Sequence, residues 1–348
     1  MSLNGQKVLR WSSVCLLLLV VAFAGLNLLA YRQAYAMLHY SAAGVRTRNP
    51  EGLSVWRKLK VLACGVNIPR PHKQGNPSTV GMPFREVTIS STGTIQLGAW
   101  LCPKQGATNL VILFHGYASE KSSQLVEARQ FYDLGCAVLM VDFRGSGQSS
   151  EAYTTVGYDE AEDVVAAVTF AREQFPGARI VLFGQSMGAA AVLRAVGQLG
   201  VKPDAIVLEA VFDTMLNTIR HRFEAMHLPS FPSAELLVYW GGQQMGFDGF
   251  AHNPADYATR VTCPTLLMHG TGDARVYVAD ARQVFERLAG PKQFVEFKTT
   301  GHESYVKRNR DEWRSAVGGV LLLDGRTVGR SDSRIVLPSD RYTVQPSN

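Results

Sequence analysis

From Phe84 onward the chain alternates between two rhythms. "FREVTIS" and "TIQLGAWLC" flank "STG", a pattern that predicts an antiparallel hairpin. Six short apolar runs follow: "NLVILFHG", "AVLMVDFRG", "RIVLFGQS", "AIVLEAV", "PTLLMHG" and "QFVEFKTTGH". Their near-continuous apolar character suits strands covered on both faces, as in a parallel sheet. Between them lie Lys121–Leu134, Tyr158–Gln174, Met187–Leu199, Ala279–Leu288 and Arg310–Leu322, whose apolar residues recur at helical spacing. This alternation predicts an α/β fold: a mostly parallel open sheet flanked by helices, joined by right-handed crossovers.

The N-terminus has a different pattern. Val14–Tyr31 reads "VCLLLLVVAFAGLNLLAY", 18 residues with Asn27 the one strongly polar position. As a helix it would be about 27 Å long, close to the thickness of a hydrocarbon core. Lys7 and Arg10 precede it and Arg32 follows. We read residues 1–36 as an N-terminal transmembrane helix with the body of the protein on the exported side. The alternative is a signal peptide cleaved near Ala34-Tyr35-Ala36, leaving a secreted or periplasmic protein, but the run exceeds the usual 7–15-residue signal core. Residues 37–83 form a connecting region. Its "EGLSVWRKLKVLACG" places an apolar stripe beside Arg57, Lys58 and Lys60, suited to a membrane surface or to packing on the main domain. "IPRPHKQGNP" reads as an irregular linker. Residues 84–323 form the main domain and 324–348 a polar tail.

Charge and cysteine content remove several functions. The net charge is +6, but the basic residues are scattered apart from that one cluster, so nucleic acid is not an expected partner. The five cysteines contain no C-x-x-C pair, which argues against zinc and thioredoxin-like chemistry. Cys136 and Cys263 open apolar runs and read as buried, inert thiols. Cys64 and Cys102 are candidates for a disulfide outside the cytosol.

Ligands of open α/β sheets bind beyond the carboxyl ends of the strands. Those ends carry, in order, His115-Gly116-Tyr117, Asp142, Ser186, Glu209, Asp273 and His302. Ser186 lies in Gly184-Gln185-Ser186-Met187-Gly188, between a strand and a helix, the setting of a nucleophile elbow. A helix-capping serine would occupy the same place, but would not account for the acid and base downstream. A serine hydroxyl needs a base, and His302 follows the last strand. Asp273 precedes it in the order Ser, Asp, His; Glu209 and Asp213 are the alternative acids. A developing oxyanion would be met by the backbone N–H groups of Met187 and Tyr117.

Together "FHGY", "DFRGSGQS", "GQSMGAA", "HGTGD" and "GHESY" resemble the α/β-hydrolase superfamily, especially bacterial serine hydrolases of the serine-aminopeptidase-like and esterase-like group. The resemblance covers about residues 84–323. It implies nucleophile Ser186, base His302, acid Asp273 and oxyanion donors Tyr117 and Met187, with no cofactor or metal. "GDARVYV" departs from relatives that carry Val-Pro after the acid. Residues 212–260, rich in Met, Phe, Tyr and Trp, are read as a small helical lid suited to an apolar acyl group. The expected substrate is a small-molecule or lipid-like carboxylic ester. A serine peptidase or amidase, with Glu209, Asp213 or Glu224 holding a substrate amine, is the alternative. A membrane-tethered binding module without catalysis is the third reading.

Overall fold

Runs rich in Val, Ile, Leu and Phe form strands here because both of their faces find helices to pack against. The computed structural model describes residues 3–47, 54–72 and 74–322. The expected tail, 324–348, lies outside the described residues, as do the side chains of Lys7, Arg10 and Cys64. The strands are β1 (Arg85–Ser90), β2 (Gln96–Cys102), β3 (Asn109–Phe114), β4 (Ala137–Val141), β5 (Arg179–Gln185), β6 (Ala205–Glu209), β7 (Thr265–Gly270) and β8 (Lys292–Phe297). The helices are α1 (Leu3–Leu38), α2 (Val55–Cys64), α3 (Leu125–Asp133), α4 (Glu160–Gln174), α5 (Met187–Gly197), α6 (Met215–Ala225), α7 (Ser233–Met245), α8 (Pro254–Ala258), α9 (Val278–Arg287), α10 (Tyr305–Arg308) and α11 (Arg310–Leu322).

Two compact units emerge. One comprises Arg70–Thr214 together with the chain from Asn253 onward; the other comprises the chain up to Pro69 and Met215–His252. The first holds a single eight-stranded sheet in the order β1-β2-β4-β3-β5-β6-β7-β8. The β1–β2 hairpin is antiparallel, β2 runs antiparallel to β4, and every other pairing is parallel. Alternate residues of each strand feed two cores. Leu110, Ile112 and Phe114 of β3 pack with Val164, Ala167 and Val192 of α4 and α5 on one face. Val111 and Leu113 pack with Phe131 of α3 and Trp313 of α11 on the other. Burying each large aliphatic side chain contributes about 1.5–3 kcal/mol.

Lys121–Leu134 is not one helix. Residues Lys121–Gln124 form a 3-10 turn and α3 begins at Leu125. The reason is the buried Lys121, whose backbone N–H (2.8 Å) and Nζ both donate to Asp142 and so hold the first turn to the end of β4. Asp142 also accepts from Gln148 N at 2.9 Å, and Arg144 forks onto the buried Asp163. Both charged residues in "DFRGSGQS" are therefore structural. Cys102 and Cys136 are buried free thiols, and burial pushes them up to about 12 and about 11. Cys263 is half-buried and pushed up to about 12 for the same reason.

In the second unit, α1 packs along α7 through Ala30, Ala34 and Leu38, which repeat every four residues and are buried. Leu38 meets α7 at Gly241, where a Cβ would lie 3.4 Å from its Cδ1. Trp240 donates its indole N–H to Asn27 Oδ1 at 3.1 Å, and its ring meets Tyr31 edge-on at 5.4 Å. Gln244 Nε2 donates to the Tyr31 carbonyl at 2.9 Å. Helices α6 and α7 are joined by Arg220 and Glu235 at 2.6 Å, and Lys58 of α2 donates to the Met226 carbonyl at 3.1 Å. The proposed signal cleavage point thus falls inside a continuous, packed helix.

Candidate active site

Ser186 stands between β5 and α5 with φ 53° and ψ −112°, a backbone region that costs a non-glycine residue about 1–3 kcal/mol. Its N–H donates to the Glu209 carbonyl at 2.8 Å, and its own carbonyl accepts from Ala190 N at 3.1 Å. The turn closes only because its flanks lack side chains. A Cβ on Gly184 would lie 2.6 Å from the Gly188 carbonyl oxygen, and one on Gly188 would lie 2.3 Å from that of Phe114. The Met187 N–H opens α5 and, as the first of a helix, has no partner within it.

Asp273 and His302 come from the loops after β7 and β8. Gly270 and Gly272 let those loops meet: Cβ atoms there would lie 2.2 Å from the Thr300 and 2.9 Å from the Thr299 carbonyl oxygens. His302 Nδ1 donates to Asp273 Oδ2 at 2.6 Å. The other oxygen of Asp273 accepts from Arg275 N at 2.8 Å and Val276 N at 3.1 Å. Burial by itself would raise the Asp273 carboxyl, but His302 and the two backbone donors outweigh it and hold the group below its ordinary range. The Asp273 side chain is fully buried and that of His302 is 19% exposed. With Nδ1 committed to Asp273, Nε2 is the basic nitrogen.

Neither alternative acid takes this place. Glu209 accepts from Trp313 Nε1 at 2.6 Å and from Gln185 at 3.5 Å. Asp213 accepts from Thr214 N at 2.6 Å. Burial, followed by the charge of Glu127, drives the Glu209 carboxyl well above its ordinary range. Glu127 on α3 is also raised, chiefly by burial, although Ser304 Oγ donates to it. Its second oxygen is buried and has no hydrogen-bond partner among the described residues. Tyr305 OH accepts from Gly270 N at 3.0 Å and so ties the segment after His302 to the end of β7. Glu127 and Trp313 carried no sequence signal, since both sit within amphipathic helices. Tyr305 lay inside "GHESY" without a stated role.

At the end of β3, His115 is fully buried. Its Nδ1 lies 2.8 Å from the Gly116 carbonyl and its Nε2 3.1 Å from Phe143 N. A carbonyl only accepts and a backbone N–H only donates, so the ring is the neutral Nδ1–H form. Burial lowers its affinity for a second proton. The Gly116 carbonyl shares a peptide plane with the Tyr117 N–H, so this bond also sets the direction of that N–H. Gly116 runs beside the elbow: a Cβ there would lie 3.7 Å from Ser186 Cβ. The Tyr117 side chain is half-buried against the core.

The sheet order, the strained serine at the β5–α5 turn and the Asp–His pair beyond β7 and β8 define a hydrolase of the α/β fold, in the general class of serine hydrolases. Comparison with known proteins narrows this. The chain belongs to the prolyl oligopeptidase family, whose model matches residues 123–317. An esterase of Pyrococcus furiosus is similar, at 25% identity and a TM-score of 0.62, over 73% of this chain and 96% of that one. An acylaminoacyl peptidase of Pyrococcus horikoshii shares the fold at 19% identity and a TM-score of 0.52, over 68% of this chain and 40% of that one. An uncharacterized protein of Mycobacterium tuberculosis is 28% identical over 71% of this chain and 82% of its own length. An uncharacterized membrane protein of Saccharomyces cerevisiae is 24% identical over 66% of this chain and 77% of its own length.

Proposed function

We propose that the protein cleaves a carboxylic ester, with Ser186 as nucleophile, His302 as base and Asp273 as the acid that orients it. The observation that carries this reading is the 2.6 Å Asp273–His302 bond at the sheet edge that also presents the strained Ser186. His302 Nε2 takes the hydroxyl proton as Ser186 Oγ attacks the ester carbonyl, and Asp273 stabilises the imidazolium that forms. The Tyr117 and Met187 N–H groups receive the oxyanion. His302 returns the proton to the departing alcohol, leaving an acyl-enzyme. Water, deprotonated by His302, then releases the carboxylic acid.

Ester rather than amide substrates are favoured on two grounds. The similar esterase is matched over nearly its whole length, whereas most of the acylaminoacyl peptidase is unmatched. Glu209 and Asp213, two of the carboxylates suggested for holding a substrate amine, are fully buried. We further read residues 84–323 as the hydrolase domain, 212–260 as its lid, and the helix before residue 38 as a retained membrane anchor. The anchor reading rests on the Trp11–Leu38 helix, which is long and apolar enough to cross a bilayer.

The test compares full-length wild type and Ser186→Ala in detergent on p-nitrophenyl esters from acetate to palmitate, with aminoacyl anilides alongside. Ester turnover should exceed anilide turnover and fall at least about 10³-fold in the variant. Ester turnover that survives Ser186→Ala rules out the assignment, and a preference for anilides moves the protein to the peptidase reading.

A further inference from the structure

The candidate span is dressed unevenly. From Trp11 to Gly25 the side chains of α1 stand exposed, Leu16 to Leu19 by 63–68%. From Leu26 onward one face of α1 is covered, beginning where Asn27 accepts from Trp240 of α7, while Leu28 (61%) and Leu29 (39%) stay exposed. Among the described residues the bare part holds 15, about 22 Å of helix, and a hydrocarbon core is about 30 Å thick. Lys7 and Arg10 precede Trp11 in the sequence, and an aromatic ring next to such charges suits a boundary; a bilayer with one boundary at Trp11 reaches past the bare part. About 20 residues on, its second boundary falls at Tyr31.

Tyr31 is where α7 meets α1, and the surroundings suit a lipid–water boundary. Tyr31, Tyr35 and Tyr239 are 42–52% exposed, and Tyr239 meets Trp240 edge-on at 5.0 Å. Such rings favour this depth because one end is apolar and the other wet. Helix α7 carries no Lys or Arg, and its one acid, Glu235, is paired with Arg220. Asn27, the strongly polar residue of the span, has its side chain bonded to Trp240 and to the Phe23 carbonyl, which removes the cost of placing it near hydrocarbon. Gln33 Nε2 donates to the Val61 carbonyl at 3.1 Å and fastens the end of the basic helix α2 two residues beyond Tyr31. Arg57 and Lys60, both exposed on α2, add cations suited to lipid phosphates.

We propose that α7 is a membrane-docking element, held by α1 in the headgroup layer with Tyr239 and Trp240 at the lipid–water boundary. This rests on the anchor reading above. The test uses the full chain in vesicles of phosphatidylcholine and phosphatidylglycerol, carrying one nitroxide at a time, with Cys64→Ser and Cys263→Ser throughout and Cys15→Ser wherever Cys15 is not itself the labelled residue. Labels go at Tyr239→Cys, at the retained Cys15 as a reference within the span, and at Glu173→Cys on α4 as an aqueous reference. Accessibility to oxygen and to a nickel chelate gives the depth of each.

The label at 239 should be several-fold less accessible to nickel than the one at 173, and shallower than the one at Cys15. If 239 matches 173 while Cys15 lies in hydrocarbon, the docking proposal is overturned and the anchor stands. A label at 239 as deep as Cys15 overturns the boundary placement. Nickel reaching Cys15 as freely as 173 removes the anchor, and the proposal with it.

Discussion

Strands β6 and β7 lie side by side, and each leads to a buried carboxylate, yet the two acids are driven in opposite directions. Glu209 ends β6 and is pushed well above its ordinary range. Asp273 follows β7 and is held below its own. Burial opposes ionisation at both. What separates them is the company: Asp273 has an imidazole and two backbone N–H donors, whereas Glu209 has one indole, a distant amide and a second carboxyl nearby. A carboxylate at a strand end is thus not by itself a catalytic acid; the donors facing it decide its charge.

Asp273→Asn should lower kcat about 10⁴-fold, because an amide disfavours the tautomer that leaves Nε2 basic. A loss under tenfold, with Glu209→Gln the more damaging change, would exchange the two roles. Glu209→Gln itself should keep kcat within a few-fold, since Ser186 is held by the residue's backbone carbonyl rather than its side chain.

Stability should sharpen the contrast at smaller scale. Trp313→Phe strips the indole donor from Glu209 and should cost about 1–3 kcal/mol in denaturant unfolding. Ser304→Ala removes the donor to Glu127 and should cost about 0.5–1.5 kcal/mol. An unchanged unfolding midpoint in either variant would show that the bond contributes nothing.

The smallest effect is read as a slope against pH. An unfolded glutamate ionises near pH 4.3. Above that the folded state, with Glu209 still protonated, binds more protons than the unfolded chain, so stability falls as pH rises towards the folded value. Glu209→Gln should therefore gain on wild type steadily from about pH 4 upward. Asp273 behaves oppositely: its contribution is present above about pH 3.9 and is lost as pH falls through its lower folded value. The deficit of Asp273→Asn should accordingly shrink in acid. Parallel curves for Glu209→Gln and wild type would show that Glu209 is ionised in the fold.

The sheet and the elbow were legible because each depends on a short stretch of chain. The apolar runs were long enough to be strands, and Gly184, Ser186 and Gly188 lie within five residues. Asp273 could be preferred to Glu209 from chain order, but the reason lies in Gly270 and Gly272, which admit the Thr299–Gly301 loop, and no local pattern announces that approach. The break at Lys121 was hidden because its cause, Asp142, is 21 residues away. Glu127 was hidden because a glutamate on an amphipathic helix ordinarily faces water. The pairing of α1 with α7 joins residues far apart in sequence and leaves no periodicity to find.

That last distance also has a meaning in time. Asn27 leaves the ribosome 213 residues ahead of Trp240. At about 5–20 residues per second, roughly ten to forty seconds of synthesis separate the two. Through that interval the Ala30, Ala34 and Leu38 stripe has no α7 to cover it. Whatever receives the nascent helix must shelter this stripe and then release it to a partner made much later.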